Sequence, residues 1–197
     1  MRERSPAARD DLSPNQLDKR RQIVDAARRV LATEGLAGCT AREIAAAGPL
    51  TKSAIHYYFA DMDALIDLAM AEHVAAFEAQ LRDASDGAAD VPGRFWATVD
   101  AYLTMFRDNP AVAHLWFEYW IDAARKKRTA AIGQMHERIA GLFAELLRAA
   151  GVSSAGERGR AIIVYLMGAI VDQEVEPRPD QRVRADIAAL AALRPPS

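Results

Sequence analysis

The sequence predicts an all-α protein, with an N-terminal three-helix head that contains a helix-turn-helix and a C-terminal helical domain behind it. Three observations carry that prediction. Alanine, leucine, arginine and glutamate fill almost every segment, and all four favour helices. No stretch sustains the period-2 run of β-branched residues that a strand needs. Residues 40–65, TAREIAAAGPLTKSAIHYYFADMDAL, place two short helical patterns on either side of Gly48-Pro49, and the second is too polar for a core helix.

Taken in order, residues 1–15 show no periodicity and carry two prolines, so they read as a flexible arm. A first helix is expected over 16–34, with Ile23, Ala26, Ala27, Val30 and Leu31 on one face and Gly35 as its left-handed stop. Thr40-Ala-Arg-Glu43 has the form of a capping box and starts the second helix, which Gly48-Pro49 ends. Thr51 caps a third helix over 51–58, and Asp61 opens a long fourth helix over 61–84. Further helices are expected over 92–107, over 110–126 behind an Asn109-Pro110 cap, and over 128–150. Another follows over 155–174, behind a second capping box at Ser154-Ala-Gly-Glu157, with a short terminal helix over 181–193. The domains are therefore 1–15 (arm), 16–60 (head) and 61–197 (body).

Composition narrows the function classes. No apolar run approaches the roughly 20 residues that cross a bilayer, so no membrane partner is expected. The charged N-terminus has no apolar segment behind it, unlike a secretory signal. The single cysteine, Cys39, excludes an internal disulfide framework and fits a reducing cytoplasm. Residues 1–60 hold 10 Lys/Arg against 7 Asp/Glu, a net of +3, while the rest holds 15 against 20, a net of −5. A basic head on an acidic body suits a module that binds a polyanion. The four histidines are scattered at 56, 73, 114 and 136. No metal spacing, phosphate loop or nucleophile–base pair accompanies them, so neither catalysis, a cofactor nor a metal is expected.

In the head, Ile44 and Ala45 face the junction of the second and third helices, and Leu50 plugs the turn. Ile55 and Phe59, four residues apart, anchor the third helix and leave Lys52, Ser53, His56 and Tyr57 on its other face. A short helix with that face suits the major groove of double-stranded DNA, and the hydroxyls of Thr40 and Thr51 suit phosphate oxygens. The plainer alternative is a surface hairpin whose aromatics only pack.

These residues resemble the tetracycline-repressor (TetR) family of bacterial transcription regulators. The resemblance runs over about residues 20–68, through RQIVDAARRVLATEGLAGCTAREIAAAG, LTKSAIHYYF and DALI. It implies DNA contacts from Thr40, Arg42, Thr51, Lys52, Ser53, His56, Tyr57 and Tyr58. It also implies a cytoplasmic homodimer whose second domain binds a small effector. Three positions depart from the family pattern. Gly48-Pro49-Leu50-Thr51 stands where Ala-Gly-Val-Ser is usual, Met62 stands where a phosphate-binding lysine is common, and His56 replaces a tyrosine. A TetR-fold dimeric sensing or scaffolding protein with weak or no DNA binding is the alternative that the first two motivate.

In the body, the run from His114 to Trp120 is the densest feature. His114, Trp116, Glu118, Tyr119 and Trp120, with Met70, His73, Phe77, Trp96, Met105 and Phe106 from neighbouring helices, are the expected ligand pocket. Aromatics beside a carboxylate suit an organic cation, although a stripe at helical spacing equally describes a core. The tryptophan-rich helix and Asp172 resemble the betaine-repressor subgroup of the same family. The helices over 128–150 and 155–174 are the expected dimer interface, through Ile139, Leu142, Phe143, Leu146, Ile163, Tyr165, Leu166, Gly168 and Ile170. The expected function is a ligand-responsive repressor released from a near-palindromic operator.

Overall fold

The computed structural model describes residues 13–176 and 178–194. Among the described residues there is no strand, and the helices are α1 (Pro14–Gly38), α2 (Ala41–Ala46), α3 (Lys52–Tyr58), α4 (Met62–Asp86), α5 (Val91–Asp108), α6 (Pro110–Arg125), α7 (Thr129–Ala149), α8 (Ala155–Val175) and α9 (Asp180–Ala191). The all-α reading holds. Most of the arm expected over 1–15 lies outside the described residues, but its last part is helix. Ser13 and Gln16 form a reciprocal capping box, with Pro14 in the first turn, so α1 starts before residue 16.

Local chemistry accounts for the other boundaries, sometimes differently from expectation. Gly35 adopts the left-handed region (φ 69°), and one further turn follows it before Cys39. The box at Thr40 is half formed. The Thr40 hydroxyl accepts from the Glu43 amide at 3.3 Å, but the Glu43 carboxylate turns to Arg42 at 2.7 Å, and the Thr40 amide bonds the Gly38 carbonyl instead. The box at Ser154 does not form, because Ser154 itself takes a left-handed conformation (φ 52°, ψ 33°) that aims its side chain away from the helix amides. Asn109 both closes α5 and opens α6: its side-chain amide donates to the Met105 carbonyl at 3.1 Å, while its own carbonyl accepts from the Val112 amide at 3.0 Å behind Pro110, the first residue of α6.

The chain divides into two compact units. One holds residues 13–73 with 114–122, and the other holds 74–113 with 123–194. In the first unit, Ile23, Ala27 and Val30 of α1 are buried, as are Ile44 of α2, Ile55 of α3, Phe59, and Leu65, Ala69 and Met70 of α4. Arg20 lies over the Phe59 ring at 4.6 Å, a cation–π contact that fixes the end of α3. The His73 Nε2–H donates to the Arg28 carbonyl at 3.2 Å, and burial lowers the pKa of its ring, keeping it neutral. Tyr119 is fully buried and its hydroxyl donates to Asp67 at 2.8 Å.

In the second unit, α7 and α8 pack along a core of Ile139, Leu142, Phe143, Ile162 and Leu166, with Phe95, Trp96 and Tyr102 of α5 beneath. Glu78 of α4 ties into α7 through Arg138 and also bonds Arg82, which reaches Glu145 at 3.0 Å. Burial pushes the Glu78 carboxyl upward, but hydrogen bonds from Arg138 and Arg82 outweigh it and hold the pKa below the usual range. The short α9 docks along its length, with Val183, Ile187 and Ala191 buried. The Trp96 indole N–H donates to the Arg194 carbonyl at 2.9 Å, Arg184 pairs with Asp100, and the Tyr165 hydroxyl bonds Asp186 at 2.7 Å.

The α7–α8 contact depends on Gly159. A Cβ there would lie 2.6 Å from the Ala140 carbonyl oxygen and 2.9 Å from the Ala144 amide nitrogen, both backbone atoms. Gly159→Ala should therefore force the helices apart, at the roughly 1–3 kcal/mol typical of overpacking, and lower the melting temperature by several degrees on circular dichroism. An unchanged melt would mean that the two helices can separate freely at this point.

Candidate nucleic-acid interface

The face of α3 is set by what the helix buries. Ile55 has no solvent exposure and Phe59 has 4%, so the remaining sides of a seven-residue helix face outward. Lys52, Ser53, His56 and Tyr57 are all exposed, as are Thr40, Arg42 and Thr51 around them, and Tyr58 is half-buried. Tyr57 stands 54% exposed, braced edge-on by Tyr58 with ring centroids 5.0 Å apart. Thr51 caps α3 by accepting from the Ala54 amide at 3.1 Å. Arg42 is held by Glu43, but its side chain is largely exposed, and such a pair contributes little and is readily exchanged for another anion. Met62 begins α4 with no charge, next to Asp61, whose carboxylate accepts from the Asp63 amide at 2.9 Å.

The unusual turn is accommodated without a left-handed residue, as Gly48 does not have a positive φ. The chain leaves α2 through Ala47 (φ −76°, ψ 1°), and the Leu50 amide bonds the Gly48 carbonyl at 2.8 Å. Two side chains of α1 hold the carbonyls this turn leaves over. Arg29 donates to the Ala47 carbonyl at 3.1 Å, and Lys19 donates to the Pro49 carbonyl at 3.2 Å. Sequence reasoning missed both residues, because their role depends on a turn 18 and 30 residues away. Cys39 is buried and its thiol is pushed up to about 11 by that burial, so it is an unreactive packing residue.

The expected pocket residues fall in both units. In the first, Met70 is buried and His73 is committed to the Arg28 carbonyl. Here α6 turns Leu115 and Tyr119 inward, while Trp116 and Trp120 are half-buried and His114 and Glu118 are exposed. Trp116 stacks on Tyr119 with 12° between planes. The Glu118 carboxylate lies 3.6 Å from where a Cβ of Gly35 would be. In the second unit, Phe77, Tyr102 and Phe106 form a trio with ring centroids 5.0–5.5 Å apart, and Met105 is half-buried. Trp96 belongs to the support of α9 instead, with its indole N–H occupied by Arg194 and Arg184 over its ring at 5.1 Å. Among the described residues, no group of His, Cys, Asp or Glu is placed to hold a metal ion, and no helix is long and apolar enough to cross a membrane.

The residues expected at a dimer interface divide differently from the reading. Ile139, Leu142, Phe143, Ile163, Leu166 and Ile170 are buried inside the chain's own core, so they are not surface for a partner. The outer face of α7 carries Gln134, Glu137, Arg138, Glu145 and Arg148, all exposed. Leu146 is half-buried, and Tyr165 is half-buried and bonded to Asp186. Gly168 is exposed in line with Val164, Val171 and Val175, which are 59%, 47% and 82% exposed.

The family model of bacterial regulatory proteins, tetR family, matches residues 23–69, the segment that contains α2 and α3. The HTH-type transcriptional regulator BetI of Burkholderia mallei is 23% identical over 81% of this chain and 86% of its own length. The nicotine-responsive transcriptional repressor HdnoR of Paenarthrobacter nicotinovorans is 26% identical over 82% of this chain and 86% of its own. Among solved structures, the multidrug binding protein EbrR complexed with imidazole aligns over 91% of this chain and 97% of its own, with a TM-score of 0.66 and 23% identity, and so shares the fold.

If Lys19 and Arg29 hold the turn, replacing both with Met keeps their apolar stems in place and removes the two donors. Each hydrogen bond contributes about 0.5–1.5 kcal/mol, so amide exchange over residues 47–58 should quicken about tenfold or more. Lys19→Arg, which keeps a donor, should restore slow exchange. Unaltered exchange in the double variant would show that the turn holds itself.

Proposed function

This chain belongs to the TetR family of bacterial transcription regulators, and from that premise we propose that it is a homodimeric repressor released from a near-palindromic operator by a small effector. The observation that carries the reading is the face of α3. Ile55 and Phe59 are buried, and Lys52, Ser53, His56 and Tyr57 stand out from that base. Lys52 neutralises a phosphate or reaches a base edge, and Ser53 is short enough to let the start of α3 into the major groove. Thr40, Thr51, Arg42 and Tyr58 lie around that entry and fix its register on the phosphates.

The proposed dimer uses α8 and α9 rather than α7. Val164, Gly168, Val171 and Val175 recur at steps of four, three and four along α8, the spacing of a seam between helices crossing at about 20°. Ala185 and Ala189 leave small exposed positions on α9. A two-fold axis brings the same patch of a second copy onto this one and spaces two α3 helices one DNA turn apart, roughly 34 Å. The effector acts on the helical body. It changes DNA affinity only to the extent that it binds the released state more tightly than the DNA-bound one. The name of HdnoR, a nicotine-responsive repressor, supports an effector of that general kind.

Duplexes selected from a random pool by the purified protein give the operator. On a selected duplex, Lys52→Ala with Tyr57→Ala should weaken binding at least tenfold by fluorescence anisotropy. Lys52→Ala alone should reduce the slope of log affinity against log salt by about one. No enriched sequence, or full affinity in the double variant, would refute the DNA-reading assignment.

Val171→Arg should turn the dimer into a monomer on light scattering while leaving its helical content unchanged. A dimer that survives the change would move the interface away from α8.

A further inference from the structure

Tyr102 is fully buried on α5, and its hydroxyl has no hydrogen-bond partner among the described residues. The Tyr102 ring packs among other rings. Phe77 and Phe106 lie 5.3 and 5.0 Å from it by centroid, and Phe143 lies 6.5 Å away. A phenol needs a partner when buried, and phenylalanine would fill the same volume without an orphaned donor. Burial also raises its pKa, so the group stays a neutral O–H. Three other buried side chains of this unit do have partners for their polar groups. The Trp96 N–H has the Arg194 carbonyl, Thr98 donates to the Arg94 carbonyl, and Glu78 has two arginines.

Building on the effector reading above, we infer that the Tyr102 hydroxyl is the hydrogen-bond donor for the effector, and that the effector is an aromatic or apolar molecule carrying an acceptor oxygen or nitrogen. The class follows from what surrounds the Tyr102 ring. The walls are aromatic and offer flat apolar surface to a ring. The carboxylates nearest along the same helices are already neutralised, Glu78 by Arg138 and Arg82 and Asp100 by Arg184, so none is free to balance a cation. Phe77 is the ring of the trio that keeps partial exposure, whereas Tyr102 and Phe106 are buried. Binding exchanges an unsatisfied donor for a satisfied one, so recognition of the acceptor is built into the unliganded fold.

The test uses Tyr102→Phe in the full chain. Without ligand the variant should melt about 2–4 °C above wild type, because it loses a buried donor that has no partner. Acetophenone, coumarin and benzoate are the acceptor probes, and benzyltrimethylammonium is an aromatic cation without an acceptor. At least one acceptor probe should raise the wild-type melting temperature by about 2 °C or more, as a ligand of the native state must. Tyr102→Phe should lose that response, and the cation should have no effect on either protein. A variant that melts lower than wild type would overturn the inference by showing that the hydroxyl has a structural partner. Silence from every acceptor probe, or a response to the cation alone, would also overturn it. None of these readouts involves DNA, so failure here is separable from failure of the operator assignment.

Discussion

Everything the head can do depends on the burial of Ile55 and Phe59. A helix of seven residues is far below the length that stands alone in water, so α3 exists only because its inner side is held by the rest of the unit. Arg20 over the Phe59 ring fastens its last turn, and Thr51 fastens its first. The polar residues between these points have no part in that anchoring. They can be shaped by what they must contact, which is why a helix this short can be both structurally fixed and chemically free on one face.

The same logic makes α1 the frame of the unit. Its apolar face packs the head, and its polar residues reach in two directions. Lys19 and Arg29 take up carbonyls of the turn before α3, while the backbone carbonyl of Arg28 receives the N–H of His73 on α4. Proline at position 49 removes an amide donor and fixes one torsion, which limits how the turn can satisfy itself. The two α1 side chains supply those bonds from outside the turn. A departure from the usual turn sequence is thus balanced by residues distant in the chain, and the orientation of α3 becomes a property of α1 as much as of the turn.

Much of this fold was legible because helical period and capping are local. The breaks at Gly35 and at Gly48-Pro49, the cap at Thr51 and the buried pair Ile55 and Phe59 all follow from a few neighbouring residues. What failed were inferences in which one pattern serves two outcomes. Ser154 and Glu157 have the capping spacing, yet Ser154 lies left-handed after Gly151 and cannot cap. Ser13 and Gln16 do form a box but precede any apolar run strong enough to mark them. The apolar residues of α7 and α8 look alike in sequence whether they meet a partner or their own neighbours. Packing assigns Ile139, Leu142, Phe143, Ile163, Leu166 and Ile170 to the core and leaves the valines of α8 outside. Trp96, expected at a pocket wall, gives its indole N–H to the Arg194 carbonyl beyond α9, a partner too distant in the chain to be read from sequence.

The polar groups of this chain carry very different costs. On α3 an unpartnered Lys52 or Ser53 is bathed in water and costs almost nothing to leave free, so its presence alone argues weakly, and only the whole face makes a case. Tyr102 is the opposite. An unsatisfied hydroxyl in a ring-lined interior is destabilising in the unliganded fold, and the simple change to phenylalanine would relieve it. Positions where local consistency is broken without an evident structural return are where function is expected to reside. By that criterion a single buried atom on α5 is a stronger argument about the proposed effector than the many aromatics of α6, whose best-buried member, Tyr119, already has its hydroxyl on Asp67.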